Sequence, residues 1–268
     1  MAVVKGINQI TGTINNVTYY TIQGSDKVYL RRKGGPKKHR IETDPNYAKL
    51  RLNNSEWKGC GLMTAKFRLC LRDIKPMEDY PVSGSLNAIF KKIQKTEPEL
   101  NHGKRSILLS KNKNVLNGFS FSRKQALESI LKVPLEASIN RETGLVSLAI
   151  PAINTRMFLY NFRSLPYFRI VVSSFGVSDV IYSEAEKAYV LEYYAFGAPL
   201  FVDKTEWLPT AGVVPAIKID SQFPEFGPNL PDCVTLIMVV GIEFGKMGDD
   251  LIPQTVKYAG SAKVIKVG

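Results

Sequence analysis

From about Gly118 to Gly268 the chain reads as a succession of short strand-like segments with no helical periodicity between them. This feature most limits what the chain can fold into. The segments are GFSFS, VPLEASI, LVSLAI, YFRIVVSS, KAYVLEYYA, VVPAIKID, CVTLIMVVGIEFG and TVKYAGSAKVIKV. They are rich in β-branched and aromatic residues, which suit a pleated surface. Turn clusters such as Arg141-Glu142-Thr143-Gly144 and Gly248-Asp249-Asp250 separate several of them. Many short strands with turn signals and no intervening helices predict an antiparallel β-sandwich, Ig-like in layout. The longest apolar stretch, Cys233 to Ile242, is broken by Thr235 and Gly241. It has strand length, well short of the roughly 18 apolar residues of a membrane span.

The first part of the chain is patterned differently. Residues 11–32 predict a β-hairpin, with TINNVTYYTI and KVYLRR as strands and Gly24-Ser25-Asp26 as the turn. Gly34-Gly35-Pro36 ends the second strand, because two permissive residues and a fixed φ cannot extend a ladder. Asp44-Pro45 is a helix-start signal, an acceptor at the cap followed by proline at the first helical position. The spacing of Leu50, Trp57, Met63, Phe67, Cys70 and Ile74 predicts one helix from Pro45 to about Ile74. Gly59 and Gly61 within it mark a kink or a close contact. A second helix is predicted from about Ser85 to Lys95, with Leu86, Ile89, Phe90 and Ile93 on one side. The short link between the two implies an antiparallel helical hairpin. Residues 97–115 are polar and basic and read as a linker. The expected fold class is therefore α+β, mainly β, with a basic hairpin-and-helix region at 1–105 and a neutral sandwich at 106–268.

Charge sharpens this division. Residues 1–115 hold 22 Lys+Arg against 9 Asp+Glu, a net +13, whereas residues 116–268 hold 14 against 15. The densest point is RRKGGPKKHR, residues 31–40, with six Lys or Arg and one His among ten residues. Arg31, Arg32, Lys33, Lys37, Lys38 and Arg40 are the candidate docking face, with Gly34, Gly35 and Pro36 as its structural turn. An anionic partner surface is one target for such a segment. Nucleic acid is the alternative, with phosphates neutralised by the cations and Tyr19, Tyr20 and Tyr29 offering stacking faces.

Catalytic chemistry finds few parts. His39 and His102 are the only histidines, and no Gly-x-Ser-x-Gly elbow or P-loop spacing is present. The best acidic group is Asp249-Asp250 with Glu243, which reads more simply as a solvated hairpin turn. The three cysteines form no disulfide framework: Cys60 and Cys70 would lie about 15 Å apart on one helix, beyond bridging reach. No cofactor or metal is expected, and the chain reads as a non-enzymatic interaction protein. The first thirty residues lack an apolar leader-like core, which by itself points to the cytoplasm.

The opening segment GTINNVTYYTIQGSDKVYLRRKGGPKKHRIETDP, followed by NNSEWKGC, resembles an uncharacterised Bacteroidota family. In that family a G-x-I-x-x-x-x-[FY]-Y strand, a Gly-Ser turn and an [RK]-x-K-G-G-P element precede a helix. The matching residues are Gly12, Ile14, Tyr19, Tyr20, Gly24, Arg31, Lys33, Gly34, Gly35 and Pro36, so the resemblance covers roughly the first 60 residues. It implies the role of the plug subunit of a type nine secretion system translocon. Such a subunit closes the periplasmic end of a large outer-membrane barrel. The implied partner is that barrel protein, the implied location the periplasmic face of the outer membrane, and no transmembrane segment is expected in the chain itself.

Overall fold

A computed structural model describes residues 2–4, 11–22, 27–32, 34–193, 200–222 and 230–268. The chain divides into two compact units, Met1–Arg51 and Leu52–Gly268.

The first unit is a four-stranded antiparallel sheet followed by short helices. Strands β1 (Ala2–Val4), β2 (Gly12–Ile14), β3 (Val17–Thr21) and β4 (Val28–Arg32) run in the order β1-β4-β3-β2. TINNVTYYTI is thus two strands rather than one. Ile14 pairs with Val17 across Asn15-Asn16, and Asn15 takes a φ of 53°. Asparagine tolerates that left-handed conformation, so a two-residue hairpin forms where the β-rich composition concealed it. Strands β3 and β4 pair as expected, Tyr20 opposite Tyr29 and Thr21 opposite Val28. The turn expected at Gly24-Ser25-Asp26 lies outside the described residues. Helix α1 (Lys38–Thr43) follows. Asp44 then caps a 3-10 turn at Pro45–Tyr47, its carboxylate accepting from the Asn46 amide at 3.0 Å.

The division between the units falls in the first turn of helix α2 (Ala48–Cys70). Its buried stripe is centred on Glu56, Cys60, Met63 and Phe67. Trp57 and Leu50 remain exposed, because they sit about 100° around the helix from the stripe's centre. Helix α3 (Val82–Gln94) packs antiparallel to α2: Thr64 bonds Asn87 at 2.6 Å, Cys60 bonds Gln94 at 3.3 Å, and Phe67 meets Phe90 edge-on.

Beyond α3, a single helical turn α4 (Leu127–Ile130) precedes β5 (Glu136–Asn140), β6 (Leu145–Ile150) and β7 (Ile153–Asn154). The turn α5 (Thr155–Phe158) leads into β8 (Tyr167–Ser178), β9 (Val180–Ser183), β10 (Ala188–Leu191), β11 (Leu200–Lys204), β12 (Leu208–Pro209) and β13 (Val213–Val214). Then come β14 (Ile217–Gln222), β15 (Val234–Met247), β16 (Pro253–Thr255) and β17 (Ser261–Val267). The main sheet is ordered β11-β8-β15-β16, with β17 also on β15 and β12 on β8. A second sheet is ordered β14-β6-β5, and every pairing among the described residues is antiparallel.

The long central strands β8 and β15 are buried along nearly their whole length. Side chains alternate across a strand, and here both faces are covered. Val171, Phe175, Val177, Ile237 and Val239 join Met63, Phe67, Ile74, Leu86 and Phe90 in one core. Phe168, Ile170, Val172, Met238, Val240 and Ile242 join Val146, Leu148 and Ile150 in another. Coverage on both faces explains why CVTLIMVVGIEFG is apolar almost throughout rather than at alternate positions. The fold is α+β and mainly β. Its sandwich has three layers, helices over the main sheet over the second sheet, rather than the two layers of an Ig-like layout.

This layering moves the boundary expected at residue 105 to Arg51/Leu52. The helical hairpin supplies half of the core on one face of the main sheet. Residues 97–115 are not a linker either, since Ile107 and Leu109 are fully buried and Ile107 bridges to Val180. Two glycines record how closely the helical hairpin approaches the strands. A Cβ on Gly241 of β15 would meet the Met77 sulfur at 2.6 Å, and one on Gly59 of α2 would meet the Tyr189 ring at 2.7 Å.

Candidate docking surface

The basic segment is divided among three local structures rather than forming one loop. Arg31 and Arg32 end strand β4, paired with Thr18 and Val17. Adjacent strand residues point to opposite faces, so the two guanidinium groups leave the sheet on opposite sides. Arg31 shares its face with Tyr29, Tyr20 and Thr18, and its guanidinium lies 5.7 Å from the centre of the Tyr20 ring. Tyr20 and Tyr29 are themselves 5.9 Å apart. Gly35 takes a φ of 104°, a conformation that disfavours side chains with a Cβ, so the glycine is required for this turn. Lys33 lies outside the described residues.

After Pro36, Lys37 takes the cap position of α1, and Lys38 and Arg40 lie on that helix. Lys38 pairs with Glu42 at 3.7 Å and Arg40 with Asp44 at 3.2 Å, each one helical turn away. Both pairs are exposed, where ion pairs contribute little stability but do reduce the charge available to a partner. Arg31, Arg32 and Lys37 have no carboxylate partner among the described residues, and all three are exposed. Among its described residues the segment thus has three available cations and two compensated ones.

The acidic residues weighed as catalytic candidates do not converge. Glu243, on β15, is buried and paired with Arg169, whose guanidinium also stacks 4.4 Å from the Trp207 ring centre. Asp250 lies in the hairpin tip beyond the strand, where its carboxylate accepts from the Ile252 amide at 3.2 Å and Gln254 at 3.3 Å. His102 bonds Asn53 at 3.0 Å. Among the described residues, no group of three or more His, Cys, Asp or Glu is placed to hold a metal ion. No helix among them is long and apolar enough to cross a membrane.

Sequence reasoning missed a buried charge cluster on α2. Glu56 is 0% exposed. Arg105 donates to both its carboxylate oxygens, at 2.6 and 2.9 Å, the Gly103 amide donates at 3.0 Å, and Lys91 of α3 completes the set. Burial pushes the Glu56 carboxyl up, but the bonds from Arg105, Lys91 and Gly103 outweigh it and hold its pKa at about 2. Gln94 reinforces the cluster by donating to the Glu56 and Arg105 carbonyls, at 3.1 and 3.0 Å. These groups fasten residues 103–105 to both helices, and every carboxylate oxygen is satisfied internally. Asp179, like Glu243, is a further buried carboxylate; burial raises its pKa, and the Ser110 amide and hydroxyl bond to it.

No protein-family model matches the chain, and no curated protein sequence matches it.

Proposed function

We propose that the protein is a non-catalytic docking subunit that engages an acidic protein surface through Arg31, Arg32 and Lys37. The observation that carries this reading is their exposure without carboxylate partners among the described residues, at the end of a strand and beside a glycine-set turn. Their neighbours Lys38 and Arg40 are compensated locally. The resemblance of the first 60 or so residues to the Bacteroidota family names the partner as the large outer-membrane barrel of a type nine secretion translocon. In that role the protein plugs the periplasmic end of the pore. A plug needs rigidity and bulk, and the three-layered second unit supplies both. Charge reversal of Arg31, Arg32 and Lys37 to Glu is expected to abolish co-purification with the barrel protein. Undiminished recovery would remove this segment from the interface.

The row Tyr20, Tyr29 and Arg31 favours a second reading, nucleic-acid binding, since aromatic rings beside an arginine can stack bases. It predicts binding of a single-stranded oligonucleotide that weakens steeply with salt. Absence of any anisotropy change at low salt would eliminate it.

A further inference from the structure

Three segments of the second unit meet around the turn α5. The Thr155 amide and hydroxyl both donate to the Gly212 carbonyl, at 3.0 and 2.9 Å, which brings β13 alongside. The Lys132 amide donates to the Phe158 carbonyl and the Tyr160 amide to the Ile130 carbonyl, which brings the end of α4 alongside. Arg163 donates to the Lys257 carbonyl at 3.4 Å. Across residues 130–133, 154–164, 210–214 and 256–258 the charged side chains are Lys132, Arg156, Arg163 and Lys257, and there is no acid. All four are exposed and lack a carboxylate partner among the described residues. Among them stand Val213, 70% exposed, Met157, 64%, Tyr160, 48%, and Phe158, 37%.

Exposed apolar residues scattered singly need no explanation, but several on segments that also carry four cations without carboxylate partners among the described residues do. We propose that this face is a peripheral membrane-binding surface for anionic lipid. Lys132, Arg156, Arg163 and Lys257 meet the headgroups, while Met157, Val213 and Phe158 enter the boundary of the acyl region. The two most exposed members decide between lipid and nucleic acid. Met157 and Val213 are aliphatic and offer a base nothing to stack on, whereas they partition readily into hydrocarbon. Tyr160 fits the interfacial level, where an amphipathic ring is favoured. The proposal is independent of the docking segment in the first unit and rests on different residues.

Vesicle flotation tests it with the full chain. Vesicles of phosphatidylcholine containing about a third phosphatidylglycerol are expected to carry the protein, and vesicles of phosphatidylcholine alone are not. The double variant M157S/V213S is expected to lose at least about tenfold in affinity for the anionic vesicles. Since both side chains are largely in solvent, its circular dichroism and melting temperature should match those of the parent. The variant K132E/R156E should lose vesicle binding as well, while R31E/R32E/K37E should retain it. If binding instead disappears only with R31E/R32E/K37E, the proposal fails even though the docking reading survives. Full binding by M157S/V213S would reduce the effect to nonspecific attraction of a basic protein and overturn the insertion. Oligonucleotide binding blocked by K132E/R156E, without vesicle binding, would likewise overturn it.

Discussion

Replacing Glu56 by glutamine tests how the second unit holds its helices to residues 103–105. The carboxylate has a pKa of about 2 in the folded chain against an ordinary 4.5, and that difference corresponds to about 3 kcal/mol of folding stability. The sign follows from the direction. A lowered folded-state pKa means the ionised group stabilises the fold above pH 4.5, and the contribution fades as pH falls toward 2. A second route gives a similar size. Glutamine leaves Arg105 and Lys91 without their buried counter-charge, and breaking one side of a buried pair costs about 3–5 kcal/mol. E56Q is therefore expected to be about 3 kcal/mol less stable than the parent at neutral pH in urea unfolding. It should also lack the parent's acid sensitivity in this window, so the two stability curves converge as pH approaches 2. Convergence matters because a protonated Glu56 and the glutamine that replaces it are nearly the same group electrostatically. A neutral-pH difference below about 1 kcal/mol, or parallel curves down to low pH, would refute the account.

Leu251 holds a φ of 59° at the tip of the β15–β16 hairpin with its side chain 80% exposed, so it combines strain with no burial. Leu251→Gly relieves about 1–2 kcal/mol of strain and forfeits about half of that in backbone entropy, for a net gain of up to about 1 kcal/mol; a lower melting temperature would contradict this. Gly59→Ala gains about 1 kcal/mol of helix propensity but drives a methyl group into the Tyr189 ring, whose hydroxyl is bonded to the Gly103 and Arg105 carbonyls at 3.2 Å. Overpacking of about 1–3 kcal/mol should win, and a stabilised variant would show that the ring yields. Burial pushes the Cys60 thiol up to about 11 and the Cys70 thiol up to about 12. Iodoacetamide at mildly alkaline pH is expected to modify half-buried Cys233 first and to reach the other two only on unfolding, as peptide mass mapping would reveal.

Most strand segments were legible because alternation, turn residues and β-branched composition act locally; GFSFS is the exception, forming only an isolated bridge from Ser120 to Lys263. Asp44 capping the turn at Pro45 was legible for the same reason. What escaped was tertiary. Glu56 looks like an ordinary polar helix residue in a sequence, since its burial depends on Lys91 and Arg105, 35 and 49 residues away. Residues 97–115 are polar enough to read as a linker, yet Ile107 and Leu109 anchor them in the core. The nearly continuous apolar run from Val234 to Ile242 held the clue that the sheet is covered twice. A strand with one wet face would have alternated. Recognising that clue would have assigned the preceding helices to the sheet and moved the boundary.

The boundary in turn changes what the net charge means. Divided at residue 105, the basic excess belongs to a helical module and spreads over its whole surface. Divided at Arg51, residues 1–51 carry 10 Lys+Arg against 3 Asp+Glu, or +7, and residues 52–268 carry 26 against 21, or +5. The second unit also consumes cations internally: Arg68 on Glu78, Lys91 and Arg105 on Glu56, Arg169 on Glu243. The small first unit therefore has by far the higher charge density, and within it Lys38 and Arg40 are compensated by their own helix. An anionic partner of the first unit would meet Arg31, Arg32 and Lys37 in preference to Lys38 and Arg40. Because these groups are exposed, salt screens them over about 10 Å at 0.1 M. Docking through them should consequently weaken steadily with ionic strength, whereas anchoring by Met157 and Val213 should keep an apolar component that salt does not remove.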